Sequence, residues 1–179
     1  MFSSDKPRML IVAGVNGAGK STLYSASPAI FAGTKRINAD EILVQNRGDW
    51  RNSKDTFIAM REVLATIKAA IASNESFHWE TTLSGNYTTL IKMIQSAKSK
   101  GYQVDVFYIK VSSAVTAIER VRSRVEKGGH GVSPERIIRR FQKSQDNLER
   151  LIMEKAVDSV SIFENDQELT ILQTFRLTD

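Results

Sequence analysis

The chain of 179 residues contains no cysteine and only two histidines, His78 and His130. Disulfide bonds, thiolate nucleophiles and cysteine-based zinc sites are therefore excluded, and so is a histidine-rich metal centre. No run approaches the ~20 consecutive apolar residues that a membrane-spanning helix needs. Residues 1–7 lack the apolar core of a signal peptide, so we expect a cytoplasmic protein with no membrane partner.

Aromatic residues are scarce where positive charge is concentrated. Eight lysines and arginines lie between Arg120 and Lys143, and the whole chain has a net charge of +5. Such a segment can bind nucleic acid, but it can equally close over phosphates. Phe141 is its only aromatic residue. The segment therefore does not favour a base-stacking platform, and a nucleic-acid partner is a secondary expectation.

The most informative segment is residues 14–21, Gly-Val-Asn-Gly-Ala-Gly-Lys-Ser, which follow the apolar run 9–13. The segment fits a phosphate-binding loop, G-x-x-x-x-G-K-[ST], between a strand and a helix. Its glycines let the backbone wrap a polyphosphate, while Lys20 would reach the β- and γ-phosphates and the Ser21 hydroxyl would ligate Mg²⁺. The residues expected to bind ATP are Gly14, Asn16, Gly17, Ala18, Gly19, Lys20, Ser21 and Thr22.

Strand-like and helix-like apolar patterns alternate along the chain, which predicts an α/β fold in one domain, 1–179. The predicted strands are 9–13, 35–38, 76–80, 104–111, 159–163 and 169–177. The predicted helices begin at Lys20, at Ser53 as N-cap, at Tyr87, at Ala114 and at Ser133-Pro134. Phe57, Met60, Leu64, Ile67 and Ile71 trace one face of the second of these helices.

Two carboxylates follow predicted strands, at the edge where ligands collect in parallel sheets. Asp40 is the first choice for the base that activates an acceptor hydroxyl, but together with Asn38 it can equally cap the next helix. Metal and base roles can be divided between Asp40 and Glu80 in either order. Glu80 with Thr81 and Thr82 predicts a corner that binds sugar hydroxyls, or a helix-capping turn.

The basic segment suggests a helical lid over about residues 120–145, hinged at glycines 128 and 129. Arg120 and Arg124 lie one helical turn apart and would offset charge on the transferred phosphoryl group and ATP. Arg139 and Arg140 would face the acceptor. The alternative is a solvated charged helix face.

Taken together, segments 13–22, 37–40, 80–82 and 119–120 and the helix start at 133–134 resemble the zeta toxin family of small-molecule kinases. The resemblance covers about residues 8–165 and is closest to short, free-standing members. It implies a three-layer P-loop NTPase fold like that of nucleoside monophosphate kinases, with a mostly parallel sheet flanked by helices and a helical lid. Characterised toxin members phosphorylate the sugar of UDP-N-acetylglucosamine, and an antitoxin protein is a candidate partner.

The resemblance also implies roles for individual residues. Lys20 would bind phosphate, Asp40 would be the base, Glu80 would contact the acceptor sugar and Arg120 would stabilise the transferred group. The second lid arginine of the toxins has no match, because 129–131 read Gly-His-Gly. Its candidate replacements are Arg124, Arg139 and Arg140.

The leading hypothesis is an ATP-dependent kinase acting on a hydroxyl of a small, UDP-sugar-like acceptor. One alternative is a kinase of polynucleotide 5′-hydroxyl ends. Another is a nucleotide-dependent switch with slow ATPase activity. Transfer of label from ATP to different acceptors distinguishes the three.

Overall fold

A computed structural model describes residues 6–178, so residues 1–5 of the N-terminal stretch considered above, and residue 179, lie outside the described range. The strands are β1 (Arg8–Ala13), β2 (Lys35–Asn38), β3 (Phe77–Thr81), β4 (Gln103–Lys110), β5 (Ser159–Glu164) and β6 (Thr170–Arg176). The helices are α1 (Lys20–Ala26), α2 (Ala39–Gln45), α3 (Ser53–Ala72), α4 (Tyr87–Ser99), α5 (Ala114–Glu126) and α6 (Pro134–Met153), with a 3₁₀ turn at Pro28–Phe31. None of the described helices is long and apolar enough to cross a membrane.

The six strands form one sheet in the order β2-β3-β1-β4-β5-β6. The first five are parallel, and β6 returns antiparallel to β5. Five of the six residues of the central strand β1 are buried, because helices cover both faces of the sheet. The predicted α/β architecture is therefore confirmed.

Strand register brings the predicted chemical groups to one edge. Val12 of β1 and Asn38 of β2 both pair with Glu80 of β3. The loop after β1, the start of α2 and the end of β3 are consequently neighbours, although they lie far apart in the sequence. This is the carboxyl edge of the sheet, where ligands bind in open α/β folds.

Helix α6 bridges the two faces of the sheet. Its residue Ile137 is buried in a cluster with β1, α1 and α5, whereas Leu148 and Leu151 are buried with α3 and α4 on the other face. Tyr108 of β4 also lies 3.0 Å, between hydroxyl oxygens, from Ser144. Most of the predicted lid is therefore anchored in the core, and the linker 127–133 between α5 and α6 is exposed at residues 127 and 128 but buried at Gly131.

The structure corrects two details of α3. Asn52 caps the helix by accepting from the Lys54 amide at 3.0 Å, so the prediction of Ser53 as N-cap is wrong by one residue. The buried face contains Ala59, Val63 and Ile67, whereas Phe57 is 64% exposed. The predicted face is therefore right for Ile67 and Ile71, which are buried, and wrong for Phe57 and Met60, since Ala59 takes the buried position beside them.

Candidate active site

A large cavity, about 1510 Å³, lies at the carboxyl edge of the sheet. It is bounded by the loop after β1, the start of α2, the end of β3, α3, α4 and the arginine-bearing faces of α5 and α6. Pockets for one small ligand are usually about 300–1,000 Å³. The cavity therefore has room for two molecules side by side.

The loop after β1 adopts a conformation that requires its glycines. Gly14, Gly17 and Gly19 have φ angles of +147°, +85° and +100°. A Cβ at Gly17 would collide with the carbonyl oxygen of Ala117, and one at Gly19 with Nδ2 of Asn165. These close approaches leave the backbone as the lining of the cavity.

The structure places six of the eight predicted ATP-binding residues on the cavity wall: Asn16, Gly17, Gly19, Lys20, Ser21 and Thr22. Gly14 and Ala18 are buried behind the loop instead. Gly14 and Ala18 therefore contribute to the shape of the loop. At Gly14 there is no room for a side chain, because a Cβ would lie 2.5 Å from the Ile109 carbonyl oxygen.

Asn165, in the turn after β5, holds this loop and was missed by the sequence analysis. Its Nδ2 donates to the Ala18 carbonyl oxygen at 2.8 Å. The sequence gives no local signal for this contact, because the two residues are distant along the chain.

Lys20 lies inside the curve of the loop. Its Nζ donates to the carbonyl oxygens of Gly14 at 2.7 Å and Val15 at 3.3 Å. Burial lowers the pKa of Lys20 to about 8, against the opposing effect of the nearby Glu80 and Asp40 carboxylates. Since burial removes water from the Lys20 ammonium group, an anion bound beside it would stabilise its charged form.

Asp40 lies in the first turn of α2 and lines the cavity. The cap of α2 is Asn38, whose Oδ1 accepts from the amides of Asp40 at 2.8 Å and Glu41 at 3.4 Å. The capping interpretation therefore applies to Asn38 and not to Asp40. Among residues 6–178, no side chain donates a hydrogen bond to the Asp40 carboxylate, which is exposed to the cavity.

Glu80, in contrast, is buried and held by an arginine. Nε and Nη2 of Arg36 both donate to Oε1 of Glu80, at 2.9 and 2.5 Å. Arg36 also pairs with Glu41 at 2.9 Å and stacks 4.2 Å from the centre of the Tyr24 ring. The sequence analysis missed Arg36, because its contact with Glu80 depends on how β2 and β3 pair.

The turn after β3 presents hydroxyls to the cavity. Thr82 lies 2.8 Å, between hydroxyl oxygens, from Ser84, and both residues line the wall. Thr81 instead accepts from the Leu83 amide at 3.1 Å and stabilises the turn itself. The corner thus contains both the predicted polar wall and a capped turn.

Two arginines of α5 face the phosphate loop, and they differ in whether their guanidinium groups have hydrogen-bond partners. Arg120 donates from Nη2 to the Asp166 carbonyl oxygen at 2.8 Å. Nε and Nη2 of Arg124 are buried and have no hydrogen-bond partner among the described residues. A buried guanidinium without a partner is costly, and it marks a place where an anion would be stabilised.

One arginine of α6 contacts the phosphate loop, and another is exposed to solvent. Arg140 donates from Nη1 to Oδ1 of Asn16 at 2.8 Å, so it touches the phosphate loop directly. Burial, together with the neighbouring Arg136 and Arg139, lowers the pKa of Arg140. Arg139 is exposed at the cavity rim. Of the candidate lid arginines, the structure brings Arg120, Arg124 and Arg140 to the loop.

The far end of the cavity is apolar. Phe57 and Met60 of α3 are 64% and 46% exposed there, and Leu64, Trp50 and Met93 line the same wall. Trp50 also packs on the α5–α6 linker, since a Cβ at Gly131 would lie 2.5 Å from its ring. The cavity therefore has a cationic end and an apolar end.

A phosphate cradle between β1 and α1, opposed by a carboxylate and overhung by arginines, is the arrangement of a P-loop kinase. The fold and this site together define that class. The chain belongs to the zeta toxin family, whose sequence profile matches residues 1–175. A Haemophilus influenzae relative, described as an uncharacterized protein, is 30% identical over 134 residues, covering 75% of this chain and 92% of the relative.

Solved structures agree with this fold. A structure from the PezAT chromosomal toxin-antitoxin system of Streptococcus pneumoniae has a TM-score of 0.68 at 17% identity, covering 97% of this chain and 73% of its own. The AvrRxo1-ORF1:-ORF2 structure with ATP has a TM-score of 0.69 at 17% identity, covering 96% of this chain and 59% of its own. At these identities the likeness shows the fold alone.

Proposed function

We propose that the protein is an ATP-dependent kinase that transfers the γ-phosphoryl group to a hydroxyl of a small, UDP-sugar-like acceptor. The observation that carries the proposal is the buried, unpartnered guanidinium of Arg124 close to Lys20. Two partly buried cations at one glycine loop are stabilised together when a polyphosphate binds between them.

The cradle would bind the triphosphate through backbone amides at the start of α1. Lys20 would exchange its two carbonyl contacts for the β- and γ-phosphates, and Arg124 would gain its missing partners. Arg140, already bonded to Asn16, takes the place of the lid arginine that 129–131 lack. The electrostatic attraction of these groups supplies most of the stabilisation expected in phosphoryl transfer.

The residues present fit a magnesium ion bound together with ATP. The Ser21 hydroxyl is an oxygen donor exposed at the cavity wall. Mg²⁺ commonly takes one or two protein oxygens and completes its shell with phosphate and water. Within residues 6–178 no three His, Asp or Glu side chains form a metal-binding group, so phosphate oxygens would supply other ligands. Such an ion neutralises charge on the phosphates.

Asp40 is the base in this proposal, and Glu80 positions the acceptor. Oε1 of Glu80 already accepts two N–H groups from Arg36, whereas the Asp40 carboxylate is free to accept a proton. The acceptor oxygen forms a bond to the γ-phosphorus as the bond to the β-phosphate oxygen breaks. The hydroxyl proton passes to Asp40, and ADP leaves.

The acceptor class is supported by family membership and by the shape of the cavity. The apolar end, lined by Trp50, Phe57 and Met60, is suited to a compact ligand with a flat part. The PezAT structure comes from a toxin-antitoxin system, so we also propose an inhibitory protein partner.

Incubation with γ-labelled ATP, Mg²⁺ and separate acceptors tests this function. The panel contains UDP-sugars, nucleosides and 5′-hydroxyl oligonucleotides, with Asp40→Asn as the inactive control. We expect label on a UDP-sugar and none with Asp40→Asn. Label only on oligonucleotides would assign an end kinase, and inorganic phosphate as the only product would assign a switch ATPase. Either result would overturn the proposal.

A further inference from the structure

Asn147 of α6 is almost completely buried, with 1% of its surface exposed, and it lines the cavity. Its Nδ2 donates to the carbonyl oxygens of Leu83 at 2.7 Å and Gly85 at 3.1 Å. The amide has only two hydrogens to donate, so its donor capacity is fully used. A flip would place Oδ1 against two carbonyl oxygens, which fixes the orientation of the side chain.

The other atom of this amide has no partner. Oδ1 of Asn147 is buried and accepts no hydrogen bond from any residue in the described range. Buried acceptors are nearly always satisfied in native proteins, and the exceptions call for an explanation. Since Oδ1 is fixed in orientation and belongs to a residue of the cavity wall, a ligand in the cavity can supply the missing donor.

The surroundings narrow the chemistry of that donor. The cavity wall contains apolar and aromatic side chains such as Trp79 and Leu90, together with polar ones such as Thr89. Phe57 and Met60 continue this apolar wall and are exposed to the cavity. A flat, largely apolar group that carries one N–H satisfies both the wall and the acceptor.

We propose that Oδ1 of Asn147 determines acceptor specificity by accepting a hydrogen bond from an amide-type N–H on a flat part of the acceptor. This inference rests on the proposed function, because it places the contact in the acceptor half of the cavity. The N–H can come from the ring of a pyrimidine base or from an acylamino group on a sugar.

Calorimetric binding to the full chain, saturated with a non-hydrolysable ATP analogue and Mg²⁺, tests the contact. One pair of probes is UMP and N3-methyl-UMP, and the other is UDP-N-acetylglucosamine and UDP-glucose. In at least one pair we expect the compound that carries the N–H to bind at least about tenfold more tightly than the compound that lacks it. Without the N–H, the buried Oδ1 of Asn147 is left without a hydrogen-bond donor. Equal binding within both pairs would overturn the proposal.

Variants of Asn147 separate recognition of the ligand N–H from support of the turn after β3. Asn147→Ala removes the acceptor, so the preference within the pair should fall to within about twofold. Glu149→Ala, exposed on the same helix and absent from the cavity wall, is the matched control with an unchanged preference.

A purely structural role for Asn147 would weaken both members of a pair equally and leave their ratio unchanged. A preference that survives Asn147→Ala would therefore contradict the proposal. The proposed function can fail separately. Asn147-dependent binding without transfer of label to any acceptor would overturn the kinase assignment alone, whereas transfer without Asn147-dependent preference would overturn only this inference.

Discussion

The two ends of the cavity differ in chemistry and in how the chain builds them. The phosphate end is formed mainly by one continuous segment, 14–22, whose glycines fix the backbone and whose lysine is half-buried. The acceptor end is assembled from α3, α4, α6 and the turn after β3, and its exposed wall is apolar. One end is built to stabilise charge, and the other to recognise shape.

The polar groups at the two ends are unsatisfied for different reasons. Arg124 lacks partners beside a loop already rich in positive charge, and Asn147 lacks one donor in an apolar wall. The missing partners of Arg124 predict that an anion binds there, and the missing partner of Asn147 predicts a neutral hydrogen-bond donor. Changes at one end should therefore leave binding at the other end nearly unchanged.

The largest expected effect is at Asp40, which lies between the two ends. Asp40→Asn should lower kcat by about 10²–10⁴, because the acceptor hydroxyl loses its base. ATP affinity should stay within about twofold, since Asn occupies the same volume. Steady-state kinetics and calorimetry measure the two effects. Glu80→Gln is the comparison variant and should mainly raise the acceptor KM, whereas unchanged turnover in Asp40→Asn would contradict the assignment of the base.

Arg124→Met should separate activity from stability at the phosphate end. We expect kcat to fall by about 10²–10³ through loss of charge stabilisation. The nucleotide-free protein should become more stable by about 1–3 kcal/mol, because a buried group without a partner is removed. Thermal unfolding measures this gain. Arg122→Met, exposed on the same helix, is the control and should change neither quantity; a destabilised Arg124→Met would show that the guanidinium is satisfied.

Phe57→Ser tests the apolar end. The acceptor KM should rise by about tenfold, since a ligand loses contact with one large side chain. Stability should change by less than about 0.5 kcal/mol, because Phe57 is 64% exposed. Ile58→Ser is a matched control, being 52% exposed on the adjacent position and absent from the cavity wall. Equal effects from the two substitutions would remove the apolar wall from the binding site.

The pH dependence of Lys20 should give the smallest effect. Burial lowers its pKa to about 8, so ATP affinity should fall by at most about tenfold between pH 8 and pH 9. Stability should change in the opposite direction. The unfolded chain holds this proton up to about pH 10.5, so Lys20 makes the nucleotide-free protein more stable as pH rises above 8. Lys20→Arg, which stays charged, should show a flat affinity profile over this range.

Sequence alone could predict the phosphate end because its geometry is local. Gly17, Gly19 and Lys20 lie in a short motif whose spacing implies a strand, a tight loop and a helix. The carboxyl-edge placement of Asp40 and Glu80 followed from the predicted strand ends, and the sheet register brings them together. Their catalytic roles stay predictions.

The acceptor end could not be predicted in the same way, because it depends on packing between distant segments. The prediction of the buried face of α3 was wrong at Phe57 and Met60. The spacing of apolar residues along a helix cannot show how closely small residues let that helix approach a sheet. The contacts of Arg36 with Glu80 and of Asn147 with the turn at Leu83 join residues far apart in the chain. Neither contact follows from a local pattern.

A crystal structure with a non-hydrolysable ATP analogue and Mg²⁺ would show whether the loop after β1 binds the triphosphate. We predict that Nζ of Lys20 leaves the Gly14 carbonyl oxygen for the β- and γ-phosphates, with Nε of Arg124 paired to a phosphate oxygen and Asp40 facing the γ-phosphate. A triphosphate bound elsewhere, or Lys20 still bonded to Gly14 beside an occupied site, would contradict the account.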